Sequence, residues 1–239
     1  MEAVSELWAA MAITGKMVVG LLVILSIYSY GVMIDRAFAL RWVRRQSAQF
    51  AAETEGRLGE LSIDEVVERA TVSKRSRFSS LASVVAEALR EFKMLLGEGQ
   101  PSSMVMEGVD EAATRAVDIA ASNLRARLAG LASIAAVAPF LGLFGTVTGL
   151  ISAFRSIAAT GAGGMATVSG GISEALVTTA VGLFVAIPAL GAYNFFVNRI
   201  DVYALELENT SARIIGHLVR RNLLSRTEPS GSVEGTART

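Results

Sequence analysis

The chain of 239 residues contains no cysteine, and this absence excludes disulfides, zinc ribbons and thiol catalysis. Histidine is nearly absent as well, because His217 is the single one, which argues against a histidine-rich metal site. The sequence shows no nucleophile–base pair and no metal-ligand cluster, and its Gly161–Gly164 loop lacks the Lys-Ser/Thr of a P-loop. We therefore expect a protein that is not an enzyme and that binds no cofactor and no metal.

Charged residues are scarce for a soluble domain, in which about a quarter of the residues carry a charge. Here 18% are charged and 52% are hydrophobic, and the mean hydropathy is +0.48. Lysine plus arginine equals aspartate plus glutamate at 22 each, so the charge balance predicts no nucleic-acid partner. The chain also has 22 glycines but only 7% aromatic residues. Small residues within apolar stretches are typical of closely packed membrane helices.

Three apolar stretches are long enough to cross a bilayer, which takes about 20 residues. We predict transmembrane helices at residues 17–35, 128–154 and 171–198. The string Ala37-Phe38-Ala39 resembles a signal cleavage site. An acidic N-terminus and arginines that follow the first stretch nevertheless favour a retained membrane anchor.

The distribution of lysine and arginine predicts the orientation, since cytoplasmic loops are enriched in both. Fourteen basic residues lie between Asp35 and Arg127 and six in the tail from Arg199, whereas the other two segments carry only Lys16 and Arg155. We expect a multi-pass membrane protein with its N-terminus outside the cell membrane and its C-terminus in the cytoplasm. The segments outside the bilayer are then an external amphipathic segment at 1–16, a cytoplasmic helical loop at 36–127, a short external loop at 155–170, a cytoplasmic helix at 199–224 and a disordered tail at 225–239.

The large cytoplasmic loop has the signals of helices. Ser62 and Glu65 have the spacing of a capping box, in which each side chain bonds the other residue's backbone N–H. A helix is expected over about 78–96, and another begins at Ser102 or Ser103. Its apolar stripe comprises Val105, Val109, Ala112, Ala116, Ile119, Asn123 and Ala126. A second stripe follows the third span and comprises Tyr203, Leu207, Thr210, Ile214 and Leu218.

No glycine or proline interrupts the run from Val109 to Leu128, so that helix is expected to continue into the second span. The predicted fold is an all-α membrane protein with three transmembrane helices. The second and third form a long antiparallel hairpin that extends into the cytoplasm.

Small residues form a narrow stripe along the second span at Gly142, Gly145 and Gly149, and Gly182 lies on a similar face of the third. Such stripes let two helix backbones approach closely. Packing of the hairpin explains part of the pattern. Small residues also occur on the opposite sides of both spans, and one partner cannot cover two faces, so we expect a homo-oligomer.

One acid and four hydroxyls lie within these apolar spans: Glu174, Thr146, Thr148, Thr178 and Thr179. A buried acid in a membrane is costly and usually faces a bundle interior or water. The hypothesis is an ion pathway lined by this set. Two plainer alternatives stay open, namely an interfacial acid that reaches the headgroups and threonines that bond their own helix carbonyls. About 140° separates Glu174 from Thr179 around a helix, so the two need not face the same space.

The strings VAPFLGLFGTVTGL and GGISEALVTTAVGLFVAIPALGAYNFF resemble the MotA/TolQ/ExbB proton-channel family, and the TolQ/ExbB branch most. The resemblance implies a pentameric channel of three-span subunits around a single-span ExbD/TolR-type partner. It places these subunits in the bacterial inner membrane, so that the external N-terminus and the loop at 155–170 would lie in the periplasm. It further implies that proton flow powers a periplasm-spanning TonB/TolA-type protein, or another effector, that works on the outer membrane.

The resemblance also implies roles for single residues. Thr146 and Thr179 match threonines that form a polar ring opposite the partner's aspartate, and Glu174 matches an acid of the third span whose implied role is to tune the pore. Pro139 and Pro188 match two intramembrane prolines. Thr148 departs from the pattern, because tryptophan is common there, and this leaves open which system the subunit serves.

The main rival to a proton-driven motor subunit is a structural membrane scaffold that does not conduct. A gliding-motility stator of the same family is a further alternative. A small secondary transporter is disfavoured, since three spans without an inverted repeat do not form the usual architecture. The predicted ion is H⁺.

Overall fold

A computed structural model describes residues 11–72, 79–160 and 165–227, and the elements in these ranges are all helical. Six α-helices and one single-turn 3₁₀ helix follow one another along this part of the chain. They are α1 (Ile13–Glu55), α2 (Ile63–Val72), α3 (Ser80–Gly97), α4 (Ser102–Arg125), the 3₁₀ helix (Ala126–Leu128), α5 (Ala129–Thr160) and α6 (Met165–Thr227).

Three helical runs among the described residues are long and apolar enough to cross a membrane. The first is α1, the second extends from Ser102 to Ala158 through α4 and α5, and the third lies in α6 between Ser169 and Leu224. Helix α6 has 63 residues, about three times what one bilayer crossing needs. The predicted all-α membrane protein with three spans is confirmed.

The chain divides into two compact units. The first, here called the membrane unit, comprises residues 1–39 and 124–200. The second, here called the polar unit, comprises residues 40–123 and 201–239. The membrane unit therefore contains the three predicted spans, and the polar unit contains most of the predicted cytoplasmic loop and the last helix.

Helix α2 of the polar unit begins with the predicted capping box. The Ser62 backbone N–H donates to Glu65 Oε2 at 3.0 Å, and the Glu65 N–H donates to Ser62 Oγ at 3.2 Å. Two backbone donors that the helix itself leaves free are thereby satisfied. The local sequence alone determined this helix start.

A buried hydroxyl cluster joins three helices inside the polar unit. The Tyr203 and Ser47 hydroxyls lie 2.7 Å apart, and Ser47 Oγ lies 3.2 Å from Ser79 Oγ. Ser79 is also the N-cap of α3 and accepts the Ala82 N–H at 3.2 Å. Because the three side chains are buried, each hydrogen bond replaces one that water would otherwise make.

Helix α4 meets one expectation and departs from another. The helical run continues from Ser102 to Ala158 into the second span, with the 3₁₀ turn Ala126–Leu128 between α4 and α5. The buried face of α4, however, passes from Val109 to Val117 and Ala121, whereas Ile119 is 62% exposed. The predicted stripe repeats about every 3.5 residues, but the observed contact follows steps of four, and each such step turns the face by about 40°.

Helices α5 and α6 meet in the membrane unit along a row of glycines, here called the glycine seam (Gly142, Gly145 and Gly149 of α5 with Gly171 and Gly182 of α6). A Cβ added at Gly182 would lie 2.7 Å from the Ala138 carbonyl oxygen, and one at Gly142 would lie 3.0 Å from Thr179 Cα. Any side chain there would push the two backbones apart. Helix contact at this distance requires glycine.

The seam also shows the direction in which these two spans run. Position 149 lies against Ala175, position 142 lies against Thr179, and Ala138 lies against Gly182. Residue numbers rise along α6 as they fall along α5, so the spans pack antiparallel within the membrane unit. The extension of this hairpin beyond the membrane unit stays a prediction.

Charged residues mark the end of the first span. Arg36 donates to Asp35 Oδ2 through Nε at 3.0 Å and Nη2 at 2.6 Å, and Arg127 Nη1 lies 3.6 Å from the same oxygen. The end of the first span and the start of the second therefore lie together, as expected for successive spans that cross in opposite directions.

Several predictions fall on residues outside the described ranges: most of the N-terminal segment (1–10), the Gly161–Gly164 loop and nearly all of the tail (228–239). The predicted loop at 155–170 is shorter than expected, because α5 continues to Thr160 and α6 begins at Met165.

The glycine seam predicts a specific cross-link between the second and third spans. A Cβ at position 149 would lie 3.4 Å from Ala175 Cβ, close to the Cβ–Cβ distance of about 3.8 Å in disulfides. We expect a Gly149→Cys/Ala175→Cys variant to oxidise readily. Because the chain has no cysteine of its own, loss of maleimide labelling, restored by reduction, reports this bond alone.

The matched control is Gly191→Cys/Ala175→Cys, since nothing lies within 4 Å of a Cβ added at Gly191. This pair should stay reduced and accept two maleimides. Both control positions lie on α6, so equal oxidation of the two pairs would indicate cross-links between copies. A Gly149→Cys/Ala175→Cys variant that stays reduced would contradict the antiparallel seam.

Candidate functional site

The two threonines of α5 donate their hydroxyl protons to carbonyls of their own helix. Thr146 Oγ1 bonds the Leu143 oxygen at 2.7 Å. Thr148 Oγ1 lies 3.1 Å from both the Phe144 and the Gly145 oxygens. Both side chains are half-buried. Each hydroxyl thus has its donor satisfied, and its oxygen lone pairs stay available as acceptors.

The two threonines of α6 turn towards the glycine seam. Thr178 is fully buried and donates to the Ala175 oxygen at 2.8 Å, with the Gly142 oxygen at 3.4 Å. Thr179 is half-buried and donates across to the Gly142 oxygen at 3.2 Å. The backbone carbonyl of Gly142 is therefore a shared acceptor that sequence reasoning did not single out. No local signal could have found it, because 37 residues separate it from Thr179.

The four threonines do not form one group. Thr146 and Thr148 are two residues apart, which places them about 160° apart around α5. Thr146 follows Gly142 by one helical turn and so lies on the side where Thr179 bonds Gly142. The structure therefore brings Thr146 and Thr179 towards one side of the hairpin. It places Thr148 elsewhere around α5 and buries Thr178 inside the helix contact.

Glu174 lies in the same buried layer, with 9% of its surface exposed. Both carboxylate oxygens lie 3.1 Å from the backbone nitrogen of Ala12, which donates to them. Ala12 directly precedes α1. The acid of the third span therefore contacts the beginning of the first span.

The remaining predicted residues have packing positions. Gly145 lies against Thr178, whose Oγ1 would be 2.6 Å from an added Cβ. Pro139 and Pro188 lie inside α5 and α6, and neither helix ends at its proline. Neighbouring helices commonly stabilise such interior prolines in membranes.

Metal ions need a set of ligating side chains that lie close together. Within residues 11–72, 79–160 and 165–227, no group of three or more His, Cys, Asp or Glu side chains is arranged to hold a metal ion. The arrangement offers a set of hydroxyl acceptors within apolar helices, and one carboxylate that accepts a hydrogen bond from the start of α1.

Comparison with known proteins gives matches over both motif-bearing spans. A model of the MotA/TolQ/ExbB proton channel family matches residues 73–209, more than half of the chain. Among curated proteins, the Tol-Pal system protein TolQ of Pseudomonas aeruginosa is 40% identical over 125 residues, which cover 52% of this chain and 54% of that protein.

Two further relatives match over longer stretches. The biopolymer transport protein ExbB of Pseudomonas putida is 31% identical over 202 residues, 84% of this chain and 59% of the relative. The Tol-Pal system protein TolQ of Haemophilus influenzae is 29% identical over 206 residues, 85% of this chain and 88% of the relative. The chain thus spans little more than half of the length of the first two relatives described.

The three candidate spans and these matches together describe a multi-pass protein of the inner membrane. The matched family is one of channels and transport energisers and not a catalytic one. The chain belongs to the MotA/TolQ/ExbB proton channel family, within its TolQ/ExbB branch.

Proposed function

We propose that this protein is the channel-forming subunit of a motor driven by the proton-motive force. Five copies would surround a single-span partner of the ExbD/TolR type, and proton flow would energise a TonB/TolA-type protein or another effector that works on the outer membrane. Family membership supports the proposal, as do relatives that are named for Tol-Pal function and biopolymer transport.

The observation that carries the proposal is the direction of the hydrogen bonds that the Thr146 and Thr179 hydroxyls make. Both donate their proton to a backbone carbonyl, Thr146 within α5 and Thr179 across to Gly142. Their oxygens can then only accept further hydrogen bonds. An acceptor is what a hydronium ion, a water chain or a protonated partner carboxyl needs, since each of these donates. One such pair in each subunit would form a polar ring in an otherwise apolar channel.

Apolar exposure supports the oligomer. Phe140, Phe144 and Phe154 of α5 are each more than half exposed in the single chain, as are Phe184 and Ile187 of α6. Lipid would cover part of this surface and neighbouring subunits another part. Added side chains at Gly170 and Gly191 would meet no atom within 4 Å, so small residues also remain outside the glycine seam. These open positions suit close contact with a second copy.

The proposed orientation has a periplasmic N-terminus and a cytoplasmic C-terminus. The excess of basic residues in residues 36–127 and in the tail supports it. The proposed topology is three spans, with the second and third connected on the periplasmic side.

Removal of the two hydroxyls tests the channel directly. Threonine→valine keeps the side-chain shape but replaces the acceptor oxygen with a methyl group. We expect Thr146→Val/Thr179→Val to lower potential-driven proton uptake by about tenfold or more, because ions would lose polar sites in an apolar channel. Uptake is measured with an internal pH dye in vesicles that contain the complex with its single-span partner, and native mass spectrometry checks that assembly persists.

Thr148→Val is the comparison variant, since Thr148 makes the same kind of intrahelical bond about 160° away around α5. We expect proton uptake near the unmodified level. Loss of uptake in this variant alone would place the pathway on the other side of the helix. Unchanged uptake in both variants would favour the structural scaffold that does not conduct.

Exchange of sodium for potassium tests the identity of the ion. We expect the ion to be a proton, because hydroxyl acceptors are sufficient for a hydronium ion or a chain of water molecules. With the pH gradient and the membrane potential held constant, replacing all Na⁺ by K⁺ should leave the energised output unchanged. Output that disappears in K⁺ and returns with Na⁺ would exclude a device that uses protons only.

A further inference from the structure

The residue at the start of helix α1 has no side chain that could cap it. The Lys16 N–H donates to the Ala12 carbonyl at 3.0 Å, which makes Ala12 the residue at the N-cap position. Alanine has no side-chain acceptor and is a poor N-cap. In a capping box, the third helical residue would bring a glutamate back to the N-cap N–H. Here that third residue is Gly15, which has no side chain.

Glu174 of the third span occupies the position of the missing glutamate. Both of its oxygens accept the Ala12 N–H at 3.1 Å, across a separation of 162 residues. The polar unit offers the ordinary version for comparison, because Glu65 Oε2 accepts the Ser62 N–H at 3.0 Å within one turn. The two bonds are alike in length and in donor position, but in the membrane unit the acid comes from another helix.

Gly15 makes room for this remote carboxylate. A Cβ at position 15 would lie 2.1 Å from Glu174 Oε1 and 3.1 Å from Glu174 Cδ. Any other residue at this position would occupy the space of the carboxylate. The absence of a side chain at Gly15 therefore leaves the space that the Glu174 carboxylate fills.

A free N–H in an apolar environment is costly, and the beginning of a helix carries partial positive charge. A carboxylate satisfies both at once. The contact also holds the start of the first span against the third span, with the two chain directions parallel at this point.

We propose that Glu174 is a positioning residue that completes the capping box of α1 and anchors the first span to the third. It does not carry ions in this role. This agrees with the geometry of the third span, in which Thr179 bonds Gly142 while the acid points to Ala12. The inference relies on the proposed function only where transport is the readout.

Hydrogen exchange at the start of α1 tests the cap independently of transport. The full-length complex is reconstituted in nanodiscs, and exchange is followed in a proteolytic peptide that contains Ala12 away from its end. We expect Glu174→Ala to accelerate exchange there by about fivefold, the effect of a lost N-cap bond. Unchanged exchange in this variant would overturn the proposal.

Gly15→Ala is the decisive variant, because it leaves the acid in place. The new methyl group would meet the flexible ends of the Glu174 and Met11 side chains, so folding should survive while the bond of Glu174 to Ala12 is lost. Gly20→Ala in the same helix is the matched control, since nothing lies within 4 Å of its added Cβ. We expect faster exchange in Gly15→Ala and no change in Gly20→Ala.

Gly15→Glu in the Glu174→Ala background provides a rescue. A glutamate at the third helical position is the usual partner of the N-cap N–H, so amide protection should return. Protection that stays lost would count against the cap.

Proton uptake separates a positioning residue from an ion carrier. If Glu174 positions the first span, Gly15→Ala should lose as much uptake as Glu174→Ala, although its carboxyl group remains. If Gly15→Ala exchanges faster yet transports normally, while Glu174→Ala does not transport, the acid is a carrier and the proposal is wrong. A failure of the threonine variants to change uptake would reject the proposed ion pathway and leave the exchange result untouched.

Discussion

The close contact of two helix backbones at the glycine seam is the constraint on which the membrane unit depends. Between lipid-exposed helices there is little hydrophobic driving force, so association relies on dense packing and hydrogen bonds. Gly142 and Gly182 supply both, because their missing side chains bring the Gly142 carbonyl within 3.2 Å of the Thr179 hydroxyl. A larger residue at either position would separate the spans and leave that hydroxyl without this acceptor.

The packing of the two spans also determines how the threonine hydroxyls are hydrogen-bonded. In an apolar helix a threonine hydroxyl commonly donates to a nearby carbonyl, and by itself such a bond indicates nothing about function. The same bond nevertheless determines which polarity the side chain presents. Thr146 and Thr179 donate their hydroxyl protons to backbone oxygens, so their own oxygens remain available as acceptors. Thr178 is fully buried, so its hydroxyl is not accessible from outside the helix contact. In the proposed channel, position around the helix would therefore decide whether a threonine hydroxyl lines the ion pathway.

Glu174, the acid within the third span, has a packing contact that explains its burial. Glu174 was grouped with the threonines from the sequence because an acid in an apolar span is rare and costly. In the structure its carboxylate has a backbone partner at the start of α1, and Gly15 leaves space for it. The cost of burial is offset by a hydrogen bond and by the helix dipole, so conduction is not needed to explain why the acid is present.

Local sequence determined the features whose interactions lie within one or two helical turns. These are the three apolar spans, the capping box of Ser62 and Glu65, and the glycine stripe, since transfer into lipid and helical spacing depend only on neighbouring residues. Tertiary structure alone decided the partners. The bond of Glu174 to Ala12 joins residues 162 apart. The buried face of α4 includes Val117, which lies outside the stripe predicted from the sequence. Both depend on how each helix is rotated about its axis, and packing against other helices sets that rotation.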